Sequence, residues 1–128
     1  GYRFLRTAKG KLLKLVRPKS KQKLRASLRK PTKRSNKWGM KAIIEDINPT
    51  LRGWYGYFKH AHPSELVELD KWVRMRLRSI LRKRHKGKGR GRGLDHMKWP
   101  NIYFAELGLF SLEAAKVKEL SLRIGVKY

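Results

Sequence analysis

Apolar residues along the chain repeat with helical or strand periods, and basic, glycine- or proline-marked breaks separate the repeats. Met40, Ile43, Ile44 and Ile47 recur at i, i+3, i+4 and i+7, which predicts an amphipathic helix that Asn48-Pro49 stops. The same dipeptide then opens a second helix: Asn caps free backbone donors, and Pro sits at the first helical position, where its missing N–H had no partner anyway. Leu51, Trp54, Tyr55 and Phe58 share one face of that helix and must be buried against something. Two helices joined almost without a loop must turn sharply onto one core. Gly53 and Gly56 each cost about 1 kcal/mol relative to Ala inside a helix, which predicts close approach of a neighbouring backbone or a ligand. Arg52 and Lys59 lie off the aromatic face and stay wet.

His62-Pro63-Ser64 breaks the chain and caps the longest helix, Glu65 to about Arg84. Leu66, Leu69, Val73, Leu77 and Ile80 trace its core stripe. Lys71, Arg74, Arg78 and Arg82 trace another on roughly the opposite side, which predicts an exposed basic ridge. No acid falls between Lys71 and Leu94 to pair with it. Glu65, Glu68 and Asp70 near the start suit the helix dipole.

Upstream, Tyr2 to Arg6 and Leu12 to Val16 are β-prone runs around Ala8-Lys9-Gly10-Lys11, which reads as a hairpin. A lone hairpin is marginal in water, so this one should lean on a sheet of a longer protein or on the helices that follow. Pro18-Lys19-Ser20 gives a break and a capping Ser before a helix over Lys21 to Lys30. Its apolar side is only Leu24 and Leu28, and its other faces carry Lys21, Lys23, Arg25, Arg29 and Lys30. Pro31 ends it, and the polar run from Thr32 to Trp38 is a loop. Downstream, His85 to Gly93 is low-complexity Gly/Lys/Arg with nothing to bury, a basic strap that also carries Lys86, Lys88, Arg90 and Arg92. Trp99-Pro100-Asn101 restarts ordered structure. A short helix over Ile102 to Leu107 ends at Gly108, and Ser111 caps a last helix over Leu112 to Leu120. The end, from Leu120 to Tyr128, fits a strand or a frayed tail. The fold class is mainly α, a small helical bundle with an N-terminal hairpin and a flexible basic loop.

Charge narrows the function. Across 128 residues there are 34 Lys and Arg against nine Asp and Glu, a formal net charge of +25. That exceeds what solubility asks for and concentrates polyanions, with nucleic acid first among them. The absence of cysteine excludes disulfides and thiolate metal sites and fits a reducing compartment, a bacterial cytoplasm or an organellar matrix. No apolar run reaches the ~20 residues of a membrane span. The start lacks both a signal peptide's apolar core and an initiator Met, so the expectation is a chain that begins inside a longer protein.

Asn48-Pro49, Leu51-Arg52-Gly53-Trp54 and Tyr57-Phe58 resemble the maturase-specific motif, domain X, of group II intron-encoded reverse transcriptases. Gly1-Tyr2-Arg3-Phe4 resembles the last reverse-transcriptase block, and Phe104 to Leu112 resembles the close of domain X. The resemblance implies that 1–18 end a reverse-transcriptase region and that 19–128 form the thumb and domain X, with a basic linker at 85–94. It implies group II intron RNA as a partner in splicing, the template-primer duplex as a partner in RNA-directed DNA synthesis, target DNA as a further candidate, and contact with the remainder of the parent enzyme. Magnesium is expected only in the missing polymerase region, and this chain alone needs no cofactor.

The nine acids are scattered and form no metal-holding pair, so the chain alone should not polymerise. His60 and His62 lack a third zinc ligand and better suit a helix C-terminus or a phosphate contact. Tyr57 is off the core stripe and is the aromatic most exposed to a base, whereas Trp38, Trp72 and Trp99 read as packing. The expected RNA contacts are Lys21, Lys23, Arg25, Arg29, Arg52, Tyr57, Lys59, Lys71, Arg74, Arg78, Arg82, Arg84 and the basic residues of the strap. A ribosomal-protein-like structural module and the DNA-binding module of a mobile element remain alternatives, though no zinc motif or helix-turn-helix favours the latter.

Overall fold

The computed structural model describes residues 1–87 and 93–124. Tyr2–Arg6 (β1) and Leu12–Val16 (β2) pair antiparallel, with Tyr2 opposite Val16 and Phe4 opposite Lys14. Six helices follow among the described residues: Pro18–Arg29 (α1), Met40–Phe58 (α2), Pro63–Arg84 (α3), Asp95–Lys98 (α4), Asn101–Glu106 (α5) and Leu112–Arg123 (α6). The mainly-α bundle with an N-terminal hairpin is therefore present. Lys88, Arg90 and Arg92 of the strap, and the chain end from 125, lie outside the described residues.

The core takes one face from each long helix: Leu24 and Leu28 of α1, Ile43, Ile44, Ile47 and Leu51 of α2, and Leu66, Leu69, Val73, Leu77 and Ile80 of α3. Phe104 of α5 and Leu112 of α6 close it. Each buried Leu or Ile contributes roughly 1.5–3 kcal/mol relative to exposure, so these faces hold the bundle together.

Several helix boundaries differ from expectation: α6 continues through Arg123, where a strand or frayed tail from Leu120 is expected, α3 starts at Pro63 rather than Glu65, and Asp95–Lys98 is an unexpected short helix. Met40–Phe58 is one continuous helix with Pro49 inside it, not two helices with a sharp turn. Proline's fixed φ is compatible with a helix; its cost is the lost bond to the carbonyl of residue 45. Glu45 and Pro49 both lie on the exposed side, where solvent can serve that carbonyl. Asn48 faces inward and caps nothing in its own helix: its Nδ2 donates to Gly108 O and its Oδ1 accepts from Phe110 N–H, each at 2.9 Å. Likewise α1 begins at Pro18 after Arg17, with no side-chain cap, so Ser20 lies inside it. The glycine expectation fails on the protein side, since a Cβ at Gly53 or Gly56 would meet nothing within 4 Å.

The hairpin leans on the helices. Val16 N–H donates to Glu65 Oε1 at 2.9 Å, His62 N–H donates to Lys14 O at 2.8 Å, and the Tyr2 ring meets Phe58 edge-on at 5.3 Å. At the other end, Gly108 adopts φ +92 to end the α5 segment, as its sequence position predicts. Ser111 then caps α6 by accepting from Ala114 N–H. Asp70 of α3 reinforces that cap from below. Its buried carboxylate accepts from Leu112 N–H, Glu113 N–H and the Ser111 hydroxyl at 2.8–3.0 Å. The acid thus neutralises the dipole of a neighbouring helix, and only Glu65 lies in the first turn of its own.

Asp70→Ala leaves buried N–H groups of α6 without acceptors and should cost roughly 3 kcal/mol in denaturant unfolding. Ser111→Ala, which loses one cap bond, should cost about 1 kcal/mol. Equal losses would mean that Asp70 does not carry the junction.

Candidate nucleic-acid interface

The basic ridge expected along α3 is largely an interior surface. Lys71 is exposed, but the Arg78 side chain is 2% exposed and fully engaged. Arg78 Nε donates to Trp99 O and Nη2 to Asn101 Oδ1, both at 2.8 Å, and its guanidinium lies 5.3 Å from the centre of the Phe104 ring. Desolvation pushes its pKa down, and Arg74 adds to that, against a smaller opposing effect of Asp95. Arg82 pairs with the buried Asp95 at 2.8 Å, and Arg74 is half-buried with its Nε shielded from solvent. The ridge fails as an open cationic array because the α4–α5 segment folds over it and supplies carbonyl and carboxylate acceptors. None of those acceptors lies within helical spacing of the arginines.

Other expected contacts are also tied down. Lys21 pairs with Glu65 and Glu68, and Arg25 pairs with Glu68 at 3.0 Å. Arg25 and Arg76 approach the Trp72 ring at 5.9 and 5.6 Å. Lys59 pairs with Glu119 at 3.3 Å, and the same carboxylate accepts from the Tyr55 hydroxyl at 2.7 Å. That hydrogen bond, with help from the nearby cations, holds the Glu119 carboxyl below its usual range, while burial and then Glu119 push the Tyr55 phenol up. Arg52 is exposed and lies 5.6 Å from the Phe110 ring. His62 caps α3 by accepting from Ser64 N–H, rather than serving a helix C-terminus. Desolvation and the neighbouring Lys116, Lys14 and Lys59 lower the His60 pKa.

Other basic residues remain open among the described residues, Arg52 and Lys71 among them. Lys23 and Arg29 on α1 are exposed and make no ion pair among the described residues, and so are Lys30, Lys33 and Lys37 beyond it. Lys86, at the end of the described strap, is exposed with φ +63. Tyr57 on α2 is 81% exposed, as its position off the core stripe predicts. Trp99 is buried and Trp72 half-buried, but Trp38 is 59% exposed, contrary to the packing expected of it.

Arginines of α3 hold the loop carrying Trp38 in place. Arg76 Nε donates to the buried Thr32 hydroxyl at 3.1 Å, and its Nη2 donates to Arg29 O at 2.8 Å; desolvation, then Arg29, depress its pKa. Arg84, expected on RNA, donates instead to the carbonyls of Asn36 and Trp38. Asn36 bridges the loop internally, from its Nδ2 to Pro31 O and from Trp38 N–H to its Oδ1, each at 2.8 Å. Backbone carbonyls of the loop thus point at arginine donors, and its lysines are left outward.

Residues 21–99, well over half of the chain, match the family described as group II intron, maturase-specific domain. The chain belongs to this family. The matched span contains the motif at Asn48 to Phe58, whereas the stretches at Gly1 to Phe4 and Phe104 to Leu112 fall outside it. No curated protein matches the chain at a significant level. In this maturase-specific domain no group of three or more metal-ligating side chains occurs among the described residues, and no helix there is long and apolar enough to cross a membrane.

Outside the expected contacts, the structure also exposes Lys30, Lys33, Lys37 and Trp38. A signal for them existed: Lys30 to Trp38 contains no acid, and Trp38 belongs to no apolar repeat. In the maturase domain, Arg78→Gln should therefore destabilise by roughly 2–4 kcal/mol, because Trp99 O and Asn101 Oδ1 lose their donor and the shorter amide leaves the space against Phe104 unfilled. Lys71→Gln should stay within about 0.5 kcal/mol. Denaturant unfolding of both variants checks the contrast, and equal stabilities would return Arg78 to the surface.

Proposed function

We propose that this maturase-specific domain binds group II intron RNA through the face formed by α1 and the loop after it, and so promotes splicing. One observation carries the reading: Lys23, Arg29, Lys30, Lys33 and Lys37 stand exposed with no ion pair among the described residues, in a domain of the maturase family. Cations without carboxylate partners are available to displace the counterions of a polyphosphate, and that release makes binding strong at low salt. A-form helices display little base information in their deep groove, so contacts to phosphate and 2′-OH dominate.

In the longer reverse transcriptase that the sequence resembles, the same domain would support the template-primer duplex during RNA-directed DNA synthesis. Target DNA is a further polyanion it could meet. Phe4, Leu5 and Leu12 of the hairpin are exposed, which favours a further protein surface of the parent enzyme against that sheet. Magnesium chemistry would belong to that parent's polymerase region, and the chain described here acts by binding alone.

Filter binding with folded intron RNA, ribosomal RNA and duplex DNA as competitors at fixed salt tests the choice of partner. The maturase reading expects folded intron RNA to compete best, and equal competition by duplex DNA would sink it. The face is tested separately. Replacing Lys23, Lys33 and Lys37 by Gln should lower the log–log salt slope of RNA binding by roughly 1 unit per lost phosphate contact. Replacing Lys21, which Glu65 and Glu68 already hold, should leave the slope unchanged.

A further inference from the structure

Beyond phosphate contacts, the geometry points to a site for one unpaired nucleotide, guanosine by preference, in the loop between α1 and α2. The proposal rests on the RNA-binding reading above and adds to it a ligand of single-stranded character. A cleft of about 400 Å³ opens there, lined by Lys30, Pro31, Lys33, Ser35, Asn36, Trp38 and Asp46. Its size falls in the range of small-ligand sites, which run from about 300 to 1,000 Å³. Trp38 supplies an aromatic wall that the core does not use, being 59% exposed. Stacking on such a ring is how proteins hold bases that have left a helix.

The chemistry of the lining is divided. Lys30 and Lys33 suit phosphate. Asp46 is acceptor-only and makes no ion pair among the described residues, which is unexpected for a carboxylate beside two lysines in so basic a chain. A carboxylate in a phosphate site is unfavourable unless it meets hydrogen-bond donors of the ligand. Guanine presents two adjacent donors on its pairing edge, N1–H and the N2 amine, and a carboxylate accepts both. Uracil offers only one, and adenine offers an amine beside an acceptor.

On the far side of Ser35 and Asn36 lies a second cleft, of about 380 Å³, lined by Arg34, Lys37, Lys83 and Arg84 as well as those two residues. No carboxylate lines it, and Arg34 Nε is shielded from solvent without a hydrogen-bond partner. A strand whose base enters the first cleft can carry its neighbouring phosphates over Ser35 and Asn36 into the second. Arg84 and Asn36 hold the Trp38 backbone by hydrogen bonds in the free domain, so little ordering is needed on binding.

The test uses the full chain and fluorescence anisotropy at fixed salt. Its probes are a short uridine-rich single strand with one central guanosine, the same strand with uridine there, and a blunt RNA duplex. The guanosine strand should bind several-fold tighter than the uridine strand. Trp38→Ala should weaken it by about tenfold, the size expected for one lost base stack, with the duplex unchanged and Trp38→Tyr restoring most of the loss. Asp46→Asn should abolish the guanosine preference, whereas relief of simple repulsion would tighten all three probes equally. An unchanged single-strand affinity in Trp38→Ala, an equal loss on the duplex, or a preference that survives Asp46→Asn overturns the site. Duplex binding by the unaltered chain distinguishes that failure from failure of the RNA-binding reading, which would abolish every signal together.

Discussion

The structure depends on α3, a buried helix whose polar side chains collect the free backbone ends of nearly every other element. Glu65 receives the N–H of Val16 from the hairpin, and Asp70 receives the first N–H groups of α6. Arg76 binds the last carbonyls of α1 through Arg29 O and fixes Thr32, while Arg78 binds Trp99 O and Asn101. Arg82 holds Asp95, and Arg84 holds the Asn36 and Trp38 carbonyls. Acids toward the N-terminal half take donors, and arginines toward the C-terminal half take acceptors. Helix and strand ends must find partners for their free groups, and in a small domain with short connections one central helix supplies them.

This explains which parts of the fold were legible in the sequence. Periodicity located the apolar faces of α2 and α3, because core spacing is a local property that tertiary context rarely overrides. Gly108 and Ser111 were legible for the same reason, since caps follow from residue type at a position. The arginine ridge was not. Arg74, Arg78 and Arg82 have the spacing of an exposed stripe, and the acids that would reveal pairing are absent nearby. The partners of Arg78 and Arg82 are a backbone carbonyl, an amide and a carboxylate brought from residues 95–101, and carbonyls leave no mark in a count of charges. Pro49 misled in the opposite direction. A rule about helix interiors assumes that the orphaned carbonyl is costly, and here the proline side of the helix faces out.

The consequence for function is a redistribution of charge. Of the basic residues expected on RNA, Arg78, Arg82 and Arg84 of α3 hold other parts of the fold, and Lys21, Arg25 and Lys59 are held by carboxylates. Among the described residues, cations exposed without an ion pair include Lys23 and Arg29 of α1, Lys30, Lys33 and Lys37 after it, and Arg52 and Lys71 elsewhere. This asymmetry is physically economical: arginine, with its planar fork of donors, is used where several fixed acceptors must be met at once, and lysine is left where a mobile point charge can follow a phosphate. Arg76 and Arg84 anchor the loop from within while Lys30, Lys33 and Lys37 face outward.

Charge of one sign on so small a body also opposes compaction, since +25 must be held together by a modest core. Burying Arg78 beneath α5 adds to that strain, and desolvation is the leading cause of its lowered pKa. The fold tolerates this because Arg78 ends on Trp99 O and Asn101 Oδ1, acceptors that needed a donor. An RNA bound at the α1 face would lower the remaining repulsion and would favour the folded state, because it interacts with the native array of lysines more strongly than with a dispersed chain. On the proposed RNA-binding reading, binding and stability in this domain would therefore be coupled through the same set of unpaired lysines. Of the α3 arginines, Arg76 and Arg84 would take part by keeping the loop between α1 and α2 in place.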